Sequence, residues 1–159
     1  IMSAEFHRKM MEEAIRLSLE NIKDSGGPFG AVITKNGKIV ATGVNKVTSK
    51  NDPTAHAEIE AIREACKKLE TFDLSDCEIY SSCEPCPMCL SAIYWSRLSR
   101  IYYGGTRHDA GNAGFRDDFL YDEIAADIEN RKIPSINLMN KEAIEAFEKW
   151  MENPEKTDY

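Results

Sequence analysis

No stretch of this chain is apolar for anything near the roughly 20 residues that a membrane-spanning helix needs. Basic residues are in the minority, 20 Lys and Arg against 27 Asp and Glu, for a net charge of -7. They are interspersed with acids and form no run. The electrostatic footprint of a polyanion-binding surface is therefore missing, which disfavours RNA or DNA and favours a small, neutral substrate. Glycine and proline are sparse, at 9 and 6, so the chain is not low in complexity. Five cysteines are an odd number, and three of them crowd into Cys83-Glu84-Pro85-Cys86-Pro87-Met88-Cys89. Ile1 to Arg16 mixes Glu, Arg and Lys with apolar residues and does not read as a secretory signal. A disulfide framework is then a poor reading of the cysteines, metal binding a better one, and the cytoplasm the expected compartment.

What is present suits one globular domain, 1–159: 42% hydrophobic and 30% charged residues, with no internal repeat and no linker. Phe6, Met10, Ala14 and Leu17 recur at helical spacing and predict a helix from Ala4 to Lys23, stopped by Asp24-Ser25-Gly26-Gly27-Pro28. Two β-rich runs, Phe29 to Thr34 and Lys38 to Gly43, flank Asn36-Gly37, a strong hairpin signal. A polar stretch, Asn45 to Pro53, leads to a second helix whose buried stripe is expected to be Ile59, Ile62, Cys66 and Leu69. A strand at Asp76 to Ser82, a helix at Pro85 to Trp95 and a strand at Arg100 to Tyr103 follow. Gly104 to Asp118 reads as loop, Phe119 to Arg131 as helix and Ile133 to Leu138 as a last strand. Ala143, Ile144, Phe147, Trp150 and Met151 mark a final helix. Strands alternating with helices after a hairpin imply an α/β domain, one mixed sheet covered by helices.

His56-Ala57-Glu58 and Pro85-Cys86-Pro87-Met88-Cys89 each fall where a helix begins. Cysteines three apart on a helix face the same side, and the positive end of a helix favours thiolate over thiol. One imidazole and two thiolates make three ligands to Zn²⁺ and leave a fourth tetrahedral position open, the mark of a catalytic site. Zinc lowers the pKa of a bound water from about 15.7 toward ~7, and Glu58 is placed to take its proton. An iron–sulfur run lacks its next cysteine, because positions 93 and 94 are Ile and Tyr. A structural zinc with Cys83 as fourth ligand is the remaining metal alternative, and it leaves Glu58 unexplained. Cys66 lies on an apolar helix stripe and Cys77 in a strand, both read as core.

At these residues the chain resembles the zinc nucleoside and nucleobase deaminases, whose signature is His-x-Glu followed by Pro-Cys-x-x-Cys. The resemblance extends to Gly26-Gly27-Pro28-Phe29-Gly30-Ala31-Val32 and to Asn51-Asp52-Pro53-Thr54-Ala55 before His56. Within that superfamily it is most similar to the small bacterial guanine deaminases, through Ala113-Gly114-Phe115-x-Asp117 and the ending in Tyr159. The resemblance implies a three-layer α/β/α sandwich on a mixed five-stranded sheet, one Zn²⁺ per subunit, and a homodimer. In that dimer the C-terminal segment, about 140–159, is swapped onto the partner. It implies hydrolysis of guanine to xanthine and ammonia, with Glu58 and Asp117 moving protons. By the same resemblance Asn45 would hydrogen-bond the purine, the Ala57 N–H would meet a base oxygen, Phe29, Trp95 and Phe115 would belong to the pocket, and the partner's Tyr159 would close it. Arg116 stands where the relatives are expected to carry an acid, adjacent to Asp117 and in position to pair with it.

Three other readings share part of this evidence. A nucleoside deaminase acting on guanosine or cytidine, and a tRNA adenosine deaminase, use the same metal chemistry. A non-catalytic binding module stabilised by zinc needs no Glu58.

Overall fold

A computed structural model describes residues 2–159 as two compact units, the first running to Asp118 and the second from Phe119 to Tyr159. The first unit holds α1 (Ala4–Lys23), β1 (Gly30–Lys35), β2 (Lys38–Val44), α2 (Val47–Lys50), α3 (Ala57–Leu69), β3 (Cys77–Cys83), α4 (Pro87–Trp95), β4 (Arg100–Gly105) and α5 (Arg107–Asn112). The strands form one mixed sheet in the order β2-β1-β3-β4. β1 pairs antiparallel with both β2 and β3, whereas β3 and β4 run parallel. Asn36 and Gly37 both take positive φ, 51° and 75°, as the tight hairpin turn between β1 and β2 requires.

Alternate residues of β1 and β3 face opposite layers, the period-two rule of a strand. Ala31, Ile33 and Ile79 pack with Ala57, Ala61, Ala65 and Ile93 of α3 and α4. Val32 and Tyr80 pack with Ala14 of α1, joined by Phe6, Met10, Met11 and Leu17. Helices therefore cover both faces of the sheet in this unit, and the central strands are buried on both sides. α1 starts where Ser3 caps it, the side chain accepting the Phe6 N–H at 3.1 Å. On α3 the most deeply buried residues are Ala57, Glu58, Ala61 and Ala65. The expected stripe of Ile59, Ile62, Cys66 and Leu69 is only partly buried. Small side chains win the inner face because α3 lies against β2 almost backbone to backbone.

The second unit contains all but the first residue of α6 (Asp118–Ala125), a 3-10 turn at Ile128–Asn130 and α7 (Asn140–Glu152). The Arg131 guanidinium donates to the Glu123 carbonyl at 2.9 Å, and the Lys132 N–H to the Glu123 carboxylate at 2.9 Å, folding the segment back on α6.

Two expectations need correction. The sheet has four strands among the described residues, not five. Ile133 to Leu138 forms no ladder: Pro134 offers no N–H, and Ile133, Ile136 and Leu138 are 79%, 85% and 78% exposed. The 104–118 region is not all loop, since α5 stands inside it on a capping box made by Thr106 and Asp109.

Candidate metal centre and active site

His56 and Cys86 are the residues immediately before α3 and α4, both with extended backbone (φ/ψ -72/158 and -65/168). Pro87 opens α4 at a position where its missing N–H costs nothing, and Cys89 follows one turn in. The loop leading to His56 is braced by its own polar groups. Asp52 accepts from the Thr54 N–H at 2.9 Å and from the Thr54 hydroxyl at 2.7 Å, and Lys46 N donates to Ala55 O at 2.9 Å.

These two helix starts bring His56, Cys86 and Cys89 together with all their ligand atoms within 4.8 Å of one another. His56 Nδ1 lies 3.5 Å from Cys86 Sγ and 3.4 Å from Cys89 Sγ. The Cys86 thiol is drawn down to about 4, chiefly by its hydrogen bond with Cys89 and, against the cost of burial, by His56. Cys89 is pushed up by the same Cys86 bond, by burial and by the Glu58 charge. The His56 imidazole is raised, first by its bond to Cys86. The pair thus concentrates one negative charge at a helix start, the character a cation-binding thiolate needs. An imidazole and two thiols in mutual contact are the donor set of zinc, three ligands with room for a fourth. Cys83 stays outside the cluster. Its Sγ is 3.8 Å from Thr106 O, and burial pushes its thiol up to about 11, so a four-ligand structural site is not formed.

Glu58, in the first turn of α3, is only 6% exposed. Burial raises its carboxyl above the usual range, and the nearby Cys86 charge adds to this. Asp117 is raised for the same two reasons, burial first and Cys86 second, with Arg107 opposing. Its Oδ1 is buried without a hydrogen-bond partner, leaving an acceptor aimed at no protein group. Arg116 does not pair with it: the Arg116 Nε lies 3.4 Å from Asp118 Oδ1, and this ion pair is solvent-exposed.

Phe29 and Phe115 meet edge to face with ring centres 4.9 Å apart. Asn45 Oδ1 accepts the Val47 N–H at 3.1 Å. Ala57 is fully buried at the start of α3. Trp95 ends α4, about 13 Å along the axis from Cys86 at 1.5 Å per residue, and is 67% exposed. Tyr159 belongs to the second unit, its ring 6.4 Å from that of Trp150. Sequence reading missed the Glu84–Arg107 clamp, in which the guanidinium grips Glu84 Oε2 at 2.8 and 3.0 Å and the Arg107 N–H meets Oε1 at 2.9 Å. Partners 23 positions apart leave no local signal.

Residues 4–105 match the family described as the cytidine and deoxycytidylate deaminase zinc-binding region. The chain is 47% identical over 154 residues to the guanine deaminase of Bacillus subtilis (strain 168), spanning 96% of this chain and 99% of that protein. The X-ray structure of guanine deaminase from Bacillus subtilis superposes with a TM-score of 0.93 at 46% identity, covering 99% of each chain. A tRNA-specific adenosine deaminase of Aquifex aeolicus is 40% identical over 93 residues, 58% of this chain and 62% of that protein. The matched region holds all three clustered ligands, and the chain belongs to the cytidine and deoxycytidylate deaminase zinc-binding family, with His56, Cys86 and Cys89 placed to hold its zinc.

Proposed function

We propose that this chain is a zinc-dependent hydrolase that converts guanine and water to xanthine and ammonia. The observation that carries the reading is likeness to a guanine deaminase along essentially the whole chain, 96% of it, the second unit included. Likeness to tRNA-specific adenosine deaminases spans less of the chain, 58% of it for one and 75% for another. The net charge of -7 also weighs against a tRNA substrate.

His56, Cys86 and Cys89 hold the ion, which when bound acidifies water by drawing electron density from it. Glu58 takes one proton from the attacking water and gives it to a ring nitrogen, then carries the second, from the hydroxyl left on the carbon, to the departing amine. Its deep burial suits a group that must alternate between charged and neutral forms. Asp117 accepts a hydrogen bond from the amino group that leaves, and its buried, partnerless Oδ1 supports that role. Asn45 has its Oδ1 held by Val47, so its Nδ2 is the end that donates to the purine. The Ala57 N–H, at a helix start, meets the base oxygen. Phe29 and Phe115 wall the ring. A site matched in this way to guanine's oxygen and amino group leaves buried groups unpaired against adenine, which is the physical basis of rejection.

The 1–159 chain acts as one deaminase subunit of a cytoplasmic homodimer, with the segment about 140–159 swapped onto the partner and Tyr159 closing the partner's pocket. The exposed apolar face of α7, with Phe147 and Met151 each 66% exposed, supports this placement. No helix among the described residues is long and apolar enough to cross a membrane.

Ammonia release by the zinc-loaded protein on guanine, guanosine, adenine, cytosine and cytidine tests the reading. Turnover of guanine alone is expected. Turnover of a nucleoside with guanine untouched would reassign the pocket while leaving the metal chemistry in place.

A further inference from the structure

Asn21 sits in the last turn of α1, only 8% exposed, with its amide turned away from the helix. Its Nδ2 donates twice, to Gly27 O at 2.8 Å and to Asn45 O at 2.9 Å. Two carbonyls can be met only by the nitrogen end, so the amide orientation is unambiguous. The Asn21 carbonyl in turn accepts the Gly26 N–H at 2.8 Å. Phe29 N donates to Gly27 O at 2.9 Å, and Asn45 N to Phe29 O at 3.3 Å. These bonds close a ring through Asn21, Gly27, Phe29 and Asn45, tying the loop that carries Phe29 to the loop that carries Asn45. At Asn45 itself the Val47 N–H fixes Oδ1 at 3.1 Å, so the backbone and one end of the amide are both held and only Nδ2 remains to act.

The space around the ring is equally restricted. A methyl group built on Gly27 would stand 3.0 Å from Asn45 Cγ, and one on Gly26 would stand 2.3 Å from Asn21 Nδ2. The two glycines are thus required by the approach of these two amides.

We propose that Asn21 is a positioning residue for substrate recognition: it holds the Asn45 backbone and the Phe29 loop in one frame, so that the Asn45 amide is presented to the base already oriented. The inference rests on the reading of Asn45 as the residue that binds guanine. An oriented donor lowers the ordering cost of binding, so the effect belongs in KM rather than in the proton transfers run by Glu58. A residue that only caps the end of α1 would affect stability and leave KM alone.

A double-mutant cycle separates the two. Asn21→Leu keeps the bulk and removes both donors. It should raise KM for guanine about tenfold, the worth of one or two lost hydrogen bonds, with kcat within roughly threefold of wild type and zinc content unchanged. In an Asn45→Ala background the same substitution should add less than about twofold, because the group it positions is gone. Gly27→Ala, which crowds Asn45 without touching the Asn21 donors, should raise KM in the same way and lose its effect in the same background. It serves equally if Asn21→Leu does not fold. A KM unmoved by both variants, or raised equally with and without Asn45, overturns the inference while guanine turnover by wild type stands. A wild-type enzyme inert toward guanine overturns both this inference and the reading beneath it.

Discussion

His56 Nδ1 stands 3.5 Å from Cys86 Sγ across a gap of 30 positions in the chain. The contact exists because two helices begin side by side, each presenting a ligand at the residue before its first turn. With Cys89 in the same cluster, a bound cation neutralises charge that is otherwise confined to a partly buried thiolate pair. Removal of zinc by chelation should therefore abolish turnover and lower Tm, and added zinc should restore both. Cys86→Ser should lose most of the metal, read as zinc per chain after dialysis. Full activity in thoroughly chelated protein would show that these three residues are not the centre of the chemistry.

Glu58→Gln preserves shape and replaces a proton carrier with an amide that cannot ionise. The substitution is expected to cut kcat by about 10²- to 10⁴-fold, the usual worth of a positioned acid–base group. Zinc content should stay at the wild-type level, because Glu58 is not among the clustered ligands. A binding module with no catalytic role would lose nothing, so an unchanged kcat would move the protein into that class.

Much of the metal centre could be read from the sequence, because its ligands sit in short motifs whose spacing maps directly onto a helix start. The β1–β2 hairpin was equally legible, since Asn36-Gly37 is a local instruction. Features that depend on distant partners were not. The bonds from Asn21 to Asn45 and from Arg107 to Glu84 join residues 24 and 23 positions apart. Adjacency in the chain points Arg116 at Asp117, yet it pairs one residue further on, with Asp118. Helical periodicity assigns the inner face of α3 to Ile59, Ile62, Cys66 and Leu69, but close packing places Ala57, Ala61 and Ala65 there. The run Ile133 to Leu138 has strand-like composition, but composition does not supply a ladder partner. α5 does carry a local signal, the Thr106-x-x-Asp109 capping box.

Deletion of Lys156 to Tyr159 tests the swapped lid. Tyr159 is 71% exposed, with its ring edge-on to Trp150, so its loss removes little packing from the chain that carries it. Tm should fall by less than about 2 °C, as for other exposed groups. KM for guanine should rise by about tenfold if the tail closes a pocket, since an open site no longer excludes water from the bound base. Kinetics identical to the full chain would remove Tyr159 from the site.

Gly43 and Gly111 should respond in opposite directions to the same change. A methyl group on Gly43 would fall 2.2 Å from Ala57 O and 2.6 Å from Ala61 N, both backbone atoms of α3 that cannot swing aside. Gly43→Ala must push β2 and α3 apart, at a cost of about 3 kcal/mol or more, the upper end of overpacking in a dense core. Because α3 begins directly after His56 and carries Glu58 in its first turn, the displacement reaches the ligand cluster. Zinc affinity should fall together with Tm. At Gly111, inside α5, nothing lies within 4 Å of the added methyl. Gly111→Ala should stabilise by about 0.5–1 kcal/mol, through helix propensity and a smaller loss of backbone entropy on folding. On a chain of 159 residues this is a rise of roughly 1–4 °C in Tm. Wild-type stability and zinc affinity in Gly43→Ala would mean that α3 can slide on β2 without disturbing His56, and the close contact of helix and strand would no longer explain where the ligands stand.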